Sequence, residues 1–302
     1  MSPRRGMEQP DRPAAQHLRE QMLAGLPIAD RRMSLAGVPT AVLEGGEGPP
    51  IVLLHSSGEF AALWMRVVPD LVTTHRVVAP DLPAHGASAA AGVWDLGTTL
   101  AWISELIDHT CSSPPVLVGH GLGGAVAARF ASNGDARLSG LILVDSFGLG
   151  PLEPEPSFHH AVTRFLEGPT ERTRDDLFRQ CFVDLDRLRE QMGERWEPIA
   201  AYALDRVSTP GMNVALGSLM PLFGAEIPST DLARIAVPTT LIWGRHDLQV
   251  PVRIAEAASA RYGWPLHVID DVGDDPAMER PEAFIEALRA GLTPLTRAEA
   301  GS

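Results

Sequence analysis

The sequence predicts an α/β protein: a doubly wound, mostly parallel sheet with an inserted helical cap. Three observations predict it. Short apolar runs rich in Val, Leu and Ile recur along the 302 residues without polar alternation, the pattern of strands buried on both faces of a parallel sheet. Helix-length segments separate these runs, so the chain reads strand, helix, strand. One stretch, residues 151–227, holds no such run and reads as helices with charged faces.

In chain order, residues 1–34 comprise a polar tail over 1–13 and a short helix over 14–26, where Leu18, Met22 and Leu26 repeat at helical spacing. RRMSLAG (31–37) and PTAVLEGG (39–46) read as two strands of an open hairpin. The core then spans 35–150 and 228–291. Its buried strands are IVLLH (51–55), RVVAP (76–80), PVLVG (115–119), LSGLILVD (138–145), TTLIWG (239–244) and LHVID (266–270). Helices are expected over 61–72, 95–109, 122–132, 251–262 and 281–291. The Pro-rich PLEPEPS opens the cap, 151–227, whose Met192, Trp196, Tyr202, Met212, Met220 and Phe223 are candidates to line an apolar site. His159 and His160 are its spare titratable groups, and 292–302 reads as a C-terminal tail.

Composition removes several functions. A formal net charge of −13 argues against nucleic acid or an anionic membrane surface as partner. All 25 basic residues are Arg, so a Schiff-base lysine and a P-loop lysine are excluded. Cys111 and Cys181 alone make neither a Cys-rich zinc site nor a disulfide framework. No cofactor and no metal are expected. The start, MSPRRGMEQPDRPAAQ, has no apolar h-region, and no window nears 18 apolar residues. The expectation is a cytoplasmic protein without signal peptide or membrane span, acting on a small molecule. The oligomeric state stays open, a homodimer included.

The strongest chemical signal is VLVGHGLGGAVAARF: a buried strand, a Gly-rich turn, then a helix. This is the setting of the nucleophile elbow G-x-S-x-G. Here the five residues are Gly119, His120, Gly121, Leu122 and Gly123. LLHSSGEF follows an earlier strand as an oxyanion loop does, and APDLPAHGAS resembles a D-x-P-G-H-G-x-S turn with Ala84 in place of a Gly. IWGRHDLQVP and VGDDPAMERPEAF resemble the segments that supply a triad acid and a triad histidine. On these five motifs, in this order, the chain resembles the α/β-hydrolase fold superfamily over roughly residues 35–291. The resemblance implies that fold, with a site between core and cap at the carboxyl ends of the strands.

The departures set the chemistry. Gly121 stands where the resemblance puts the nucleophilic serine, Asp274 where it puts the histidine, and Ser56 where a Gly usually follows His55. Of the triad positions only Asp247 keeps its expected residue type. Serine attack needs a hydroxyl and a base, so ordinary ester hydrolysis is expected to be absent or very slow. What remains is Asp247 and Asp274, expected to project toward one pocket floor, where two carboxyls share a proton. The N–H groups of Leu122 and of Ser56 or Ser57 are expected to form an oxyanion site, with Glu59 at the pocket mouth and His120 beside the elbow. His120 and His85 also have plain structural readings, and Asp274 with Asp271 and Asp275 one as a solvated acidic turn.

The leading expectation is a non-covalent acid/base catalyst on an apolar carbonyl-bearing molecule, with a bacterial natural-product cyclase, lyase or isomerase as the concrete version. Two alternatives stand beside it: an inactive ligand-binding relative, and a hydrolase with an unplaced nucleophile such as Ser57 or activated water.

Overall fold

The computed structural model describes residues 12–90, 95–134 and 137–299. Most of the expected N-terminal tail lies outside them. The chain opens with α1 (Arg12–Leu23), followed by β1 (Ala29–Leu35), β2 (Val38–Gly45) and β3 (Pro50–Leu54). After a 3-10 turn (Ala61–Arg66) come α2 (Val68–Leu71), β4 (Arg76–Pro80), α3 (Leu96–Thr110), β5 (Val116–His120), α4 (Gly121–Ser132) and β6 (Gly140–Val144). Then follow α5 (Pro156–Glu167), α6 (Glu171–Cys181), α7 (Leu185–Met192), α8 (Trp196–Val207), α9 (Pro210–Phe223) and α10 (Ser229–Leu232). The chain closes with β7 (Thr239–Gly244), α11 (Arg253–Tyr262), β8 (Leu266–Ile269), α12 (Pro276–Glu279) and α13 (Pro281–Glu299).

The eight strands form one sheet in the order β1-β2-β4-β3-β5-β6-β7-β8. Only β2 runs against its neighbours; every pairing from β4 to β8 is parallel. Alternate side chains feed two cores. Ile51, Leu53, Val118, Ile142 and Ile242 pack on one face with residues of α1 and α13. Val52, Leu54, Leu117, Leu143 and Trp243 pack on the other with α3, α4 and α11. Each such fully buried side chain contributes about 1.5–3 kcal/mol, and continuous apolar strands are what two covered faces require.

Three local expectations change. The hairpin is tight, not open: Leu35 pairs with Val38 across Ala36 (φ 46°) and Gly37 (φ 79°), the left-handed pair that matches strand twist. The helix expected over 61–72 splits into the 3-10 turn and α2, with Pro69 in the first turn of α2, where its missing N–H costs nothing. The last helix continues to Glu299, so the stretch from 292 read as tail is helical through that residue.

Buried Arg19 fixes α1 to the sheet. It donates to both Asp30 oxygens, at 2.7 and 3.2 Å, and to Asp81 at 2.7 Å. Asp81 also accepts from the N–H groups of Ala61, at the start of the 3-10 turn, and Ala87, in the loop after β4.

Candidate active site

The helices α5 to α9 intervene between β6 and β7, and between them and the strand ends lies a cavity of about 450 Å³. The loop after β3 contributes Ser57, Glu59 and Phe60, and the loop after β8 contributes Asp274 and Asp275. Phe158, Phe165, Phe178, Phe182 and Trp196 line it from the helices. Of the six cap residues proposed for this lining, Trp196 and Met220 are present. Met192, Tyr202, Met212 and Phe223 are not among the lining residues and pack inward; Tyr202 meets Phe60 edge-on at 4.7 Å. His159 reaches the cavity wall from α5, and His160 does not. A larger open hollow, about 740 Å³, lies along β8 and α13, away from these loops.

The elbow keeps its shape without its side chain. Gly121 follows β5 at φ 49° and starts α4. A Cβ placed on it would overlap Ser56 Oγ and approach Ser56 Cβ to 2.8 Å. Ser56, 2% exposed, therefore fills the space that a residue-121 side chain would need. Leu122 N–H donates to that Ser56 hydroxyl at 3.4 Å, while Ser56 N–H donates to Glu59 Oε2 at 2.8 Å. Of the donors expected for an oxyanion site, Leu122 N–H and Ser56 N–H are therefore both engaged inside the protein, while Ser57, the other residue named for it, lines the cavity.

Behind the elbow sits one buried cation. His120 Nδ1 donates to Glu59 Oε2 at 3.2 Å, and Nε2 donates to the Asp274 carbonyl oxygen at 2.7 Å. Burial alone would strip its extra proton. The Glu59 carboxylate, by charge and hydrogen bond, outweighs burial and lifts the imidazole well above its ordinary range. The same pairing overrides burial at Glu59 and holds its carboxyl low. His55 differs: Leu82 N–H donates to its Nε2, so Nδ1 carries the proton and donates to Ser56 O. Burial keeps it neutral. His85 is neutral for the same reason, pushed down to about 4.

The carboxyls are the unusual feature. Asp274 is 7% exposed, its N–H donates to Cys181 O at 2.8 Å, and its buried Oδ1 makes no hydrogen bond but lies 3.9 Å from His120 Nε2. Burial, then the charge of Asp247, raises it well above the usual carboxylate range. Asp275 caps α12 through Met278 N–H, and burial pushes it up to about 8. Asp247 accepts from the N–H groups of Gln249 and Val250, and burial pushes it up to about 7. It lies behind the cavity wall, not in it, so the expectation that it shares the floor with Asp274 fails in position while the two remain coupled through charge. Asp145 escaped the sequence reading. It follows β6 at φ 41° and accepts from Gly244 N–H at 2.8 Å. Burial and Asp247 raise it well above the carboxylate range. Asp145 and Asp247 each leave Oδ2 without a partner, and one proton shared between them supplies both.

Among the described residues, Glu59, His120 and Asp275 bring ligand atoms within 4.8 Å of one another, the one group with donors suited to a metal. His120 Nδ1 is engaged with Glu59 there. Cys111 and Cys181 are both free thiols.

The sheet order, the elbow after β5 and the helices between β6 and β7 define a class, and sequence comparison agrees. The chain belongs to the alpha/beta hydrolase family, whose profile matches residues 51–287. It is 29% identical over 257 residues to the pimeloyl-[acyl-carrier protein] methyl ester esterase of Aeromonas hydrophila, covering 80% of this chain and 95% of that protein. It is 40% identical over 255 residues to the dihydrolipoyllysine-residue acetyltransferase component of the acetoin cleaving system of Pseudomonas putida. That match takes in 82% of this chain and spans 65% of the longer protein. The carboxylesterase CesB of Bacillus subtilis superposes with a TM-score of 0.78 at 17% identity, covering 93% of this chain and 98% of that one. No helix among the described residues is long and apolar enough to cross a membrane.

Proposed function

We propose that this member of the family is a non-covalent acid/base catalyst acting on an apolar, carbonyl-bearing small molecule. One observation carries the reading: Asp274, a buried carboxyl whose Oδ1 makes no hydrogen bond, stands in the wall of an apolar cavity. A carboxyl that burial holds well above the usual carboxylate range donates a hydrogen bond or a proton to a carbonyl oxygen and takes a proton back afterwards. Asp247 and Asp145 stand behind it as the proton-holding pair. Isomerisation, cyclisation and lyase chemistry need nothing more than such transfers. Gly121 offers no hydroxyl, which supports a route without an acyl-enzyme.

The test is mass spectrometry of a metabolite extract incubated with the protein. Wild type is expected to deplete one compound catalytically, and Asp274→Asn to slow that about 10²–10⁴-fold. An unchanged mass would mean isomerisation or cyclisation, and a split mass a lyase. A fluorophosphonate probe is expected to leave the protein unlabelled; labelling at Ser56 or Ser57 would replace this reading with a covalent hydrolase.

A second reading has its own observation. The N–H groups of Leu122 and Ser56 are satisfied within the chain, as suits a protein that binds a ligand without turning it over. Stoichiometric retention of a compound without depletion would favour it.

A further inference from the structure

We infer that Glu279 is a positioning residue: it latches the cap to the loop after β8 and so fixes where the Asp274 carboxyl stands. The inference rests on the reading above that Asp274 carries the chemistry. Glu279 belongs to the VGDDPAMERPEAF segment, and no proton transfer proposed above uses it. It closes the single turn of α12, which Arg66 holds from the 3-10 turn by donating to Met278 O.

A carboxyl offers two acceptor oxygens, and the buried Glu279 spends them on two different parts of the chain. Oε1 accepts from Gly273 N–H at 2.6 Å, in the loop after β8. Oε2 accepts from Val183 N–H at 2.8 Å, between α6 and α7 of the cap. The two segments also meet directly, because Asp274 N–H donates to Cys181 O at 2.8 Å. Cap residues 181–183 are thereby stitched to Gly273 and Asp274. The passage is close: a Cβ on Gly273 would come within 2.1 Å of Cys181 O, so glycine is needed there. The seam is also a partition. On one side Cys181, Phe182 and Asp274 line the cavity of about 450 Å³. On the other Val183, Asp184, Glu279 and Arg280 line a separate hollow of about 250 Å³. Parting the seam would join the two, admit water beside Asp274 and free its loop to shift. Burial is the chief cause of Asp274's raised value, so the latch guards its proton as well as its place.

Amide hydrogen exchange of the full chain, resolved residue by residue by NMR, tests the latch. Glu279→Gln keeps the size of the side chain and removes one acceptor oxygen. It is expected to speed exchange at Val183 or Gly273, and at Asp274, by about 10–100-fold, the equilibrium change that stranding one buried donor brings. The amides of β5 are expected to match wild type. Asp274 N–H is the decisive one, since it bonds to Cys181 O and not to Glu279, and speeds only if the seam parts as a unit. Gly273→Ala forces the seam from the opposite side, leaves Glu279 intact and is expected to give the same pattern. For the compound that wild type depletes, Glu279→Gln is expected to lower kcat about 10²-fold and change KM by less than about twofold, the mark of a misplaced catalytic group.

Unchanged Asp274 exchange in both variants would overturn the proposal. So would exchange that speeds equally in β5, which would show general loosening. These outcomes separate from the catalytic reading. If no compound is turned over in any extract, that reading falls, and exchange at Asp274 alone decides the latch. If turnover needs Asp274 but is indifferent to Glu279→Gln, catalysis stands and the positioning role falls.

Discussion

Replacing Gly121 with serine, the change that writes the family's nucleophile back into the elbow, is expected to destabilise the protein by about 2–5 kcal/mol and restore no esterase activity. Two terms make up that figure. A side chain at φ 49° costs about 1–2 kcal/mol in the left-handed region. Overpacking against Ser56, whose hydroxyl already fills the space, costs about 1–3 kcal/mol. The double replacement Ser56→Gly with Gly121→Ser should recover the second term and keep the first, so the two sites are strongly coupled. Urea denaturation of wild type, both single variants and the double variant measures this. A Gly121→Ser protein as stable as wild type would mean that Ser56 simply rotates away. Esterase activity is expected to stay absent in every variant, because the resemblance puts the triad base at position 274, which is Asp.

His120→Gln is expected to cost about 3–5 kcal/mol near pH 6, the usual cost of leaving one member of a buried ion pair alone. The loss should shrink as pH rises. The folded protein holds the imidazole proton well above its ordinary value, so its contribution is complete below about pH 6.5 and fades as pH climbs through the raised value. The carboxyls push the same way. Asp275, held at about 8, and Asp247, held at about 7, bind protons in the folded chain that the unfolded chain has already released. Wild-type stability should therefore fall between about pH 4 and 8, where the native state carries more protons. Unfolding midpoints at pH 5, 6.5 and 8 decide it. A variant equally destabilised at all three, with a flat wild-type profile, would show that His120 acts by packing alone.

Much of this architecture was legible because it rests on repeated local patterns. The runs around Ile51, Val116, Gly140 and Thr239 announce strands with two covered faces, and the glycines around position 121 announce a tight strand-to-helix turn. The positions of Asp247 and Asp274 in the loops after β7 and β8 were legible through motif order. What stayed hidden depends on single contacts between distant residues. Ser56 and Gly121 look like two independent losses in the sequence, yet Ser56 occupies the room that Gly121 vacates. The Leu122 and Ser56 donors look available until their internal acceptors are seen. His120 reads as a structural neighbour of the elbow until Glu59 folds back onto it. Asp145 reads as the last residue of an apolar run, and only its backbone turn at φ 41° brings it to Asp247. The turn at Ala84 likewise adopts φ 61° without the Gly that the resemblance leads one to expect.

The Asp81 carboxylate bears on how the molecule comes apart. It holds Arg19 of α1 and the N–H groups of Ala61 and Ala87 at the same time. Detaching α1 would leave a buried anion whose remaining partners are two backbone amides, so the first helix does not fray independently of the segments that follow β3 and β4. Arg19 and Asp81, separated by 62 positions in the chain, thereby belong to one cooperative unit. A helix that lines no part of the cavity is thus tied to the segment after β3, which does line it.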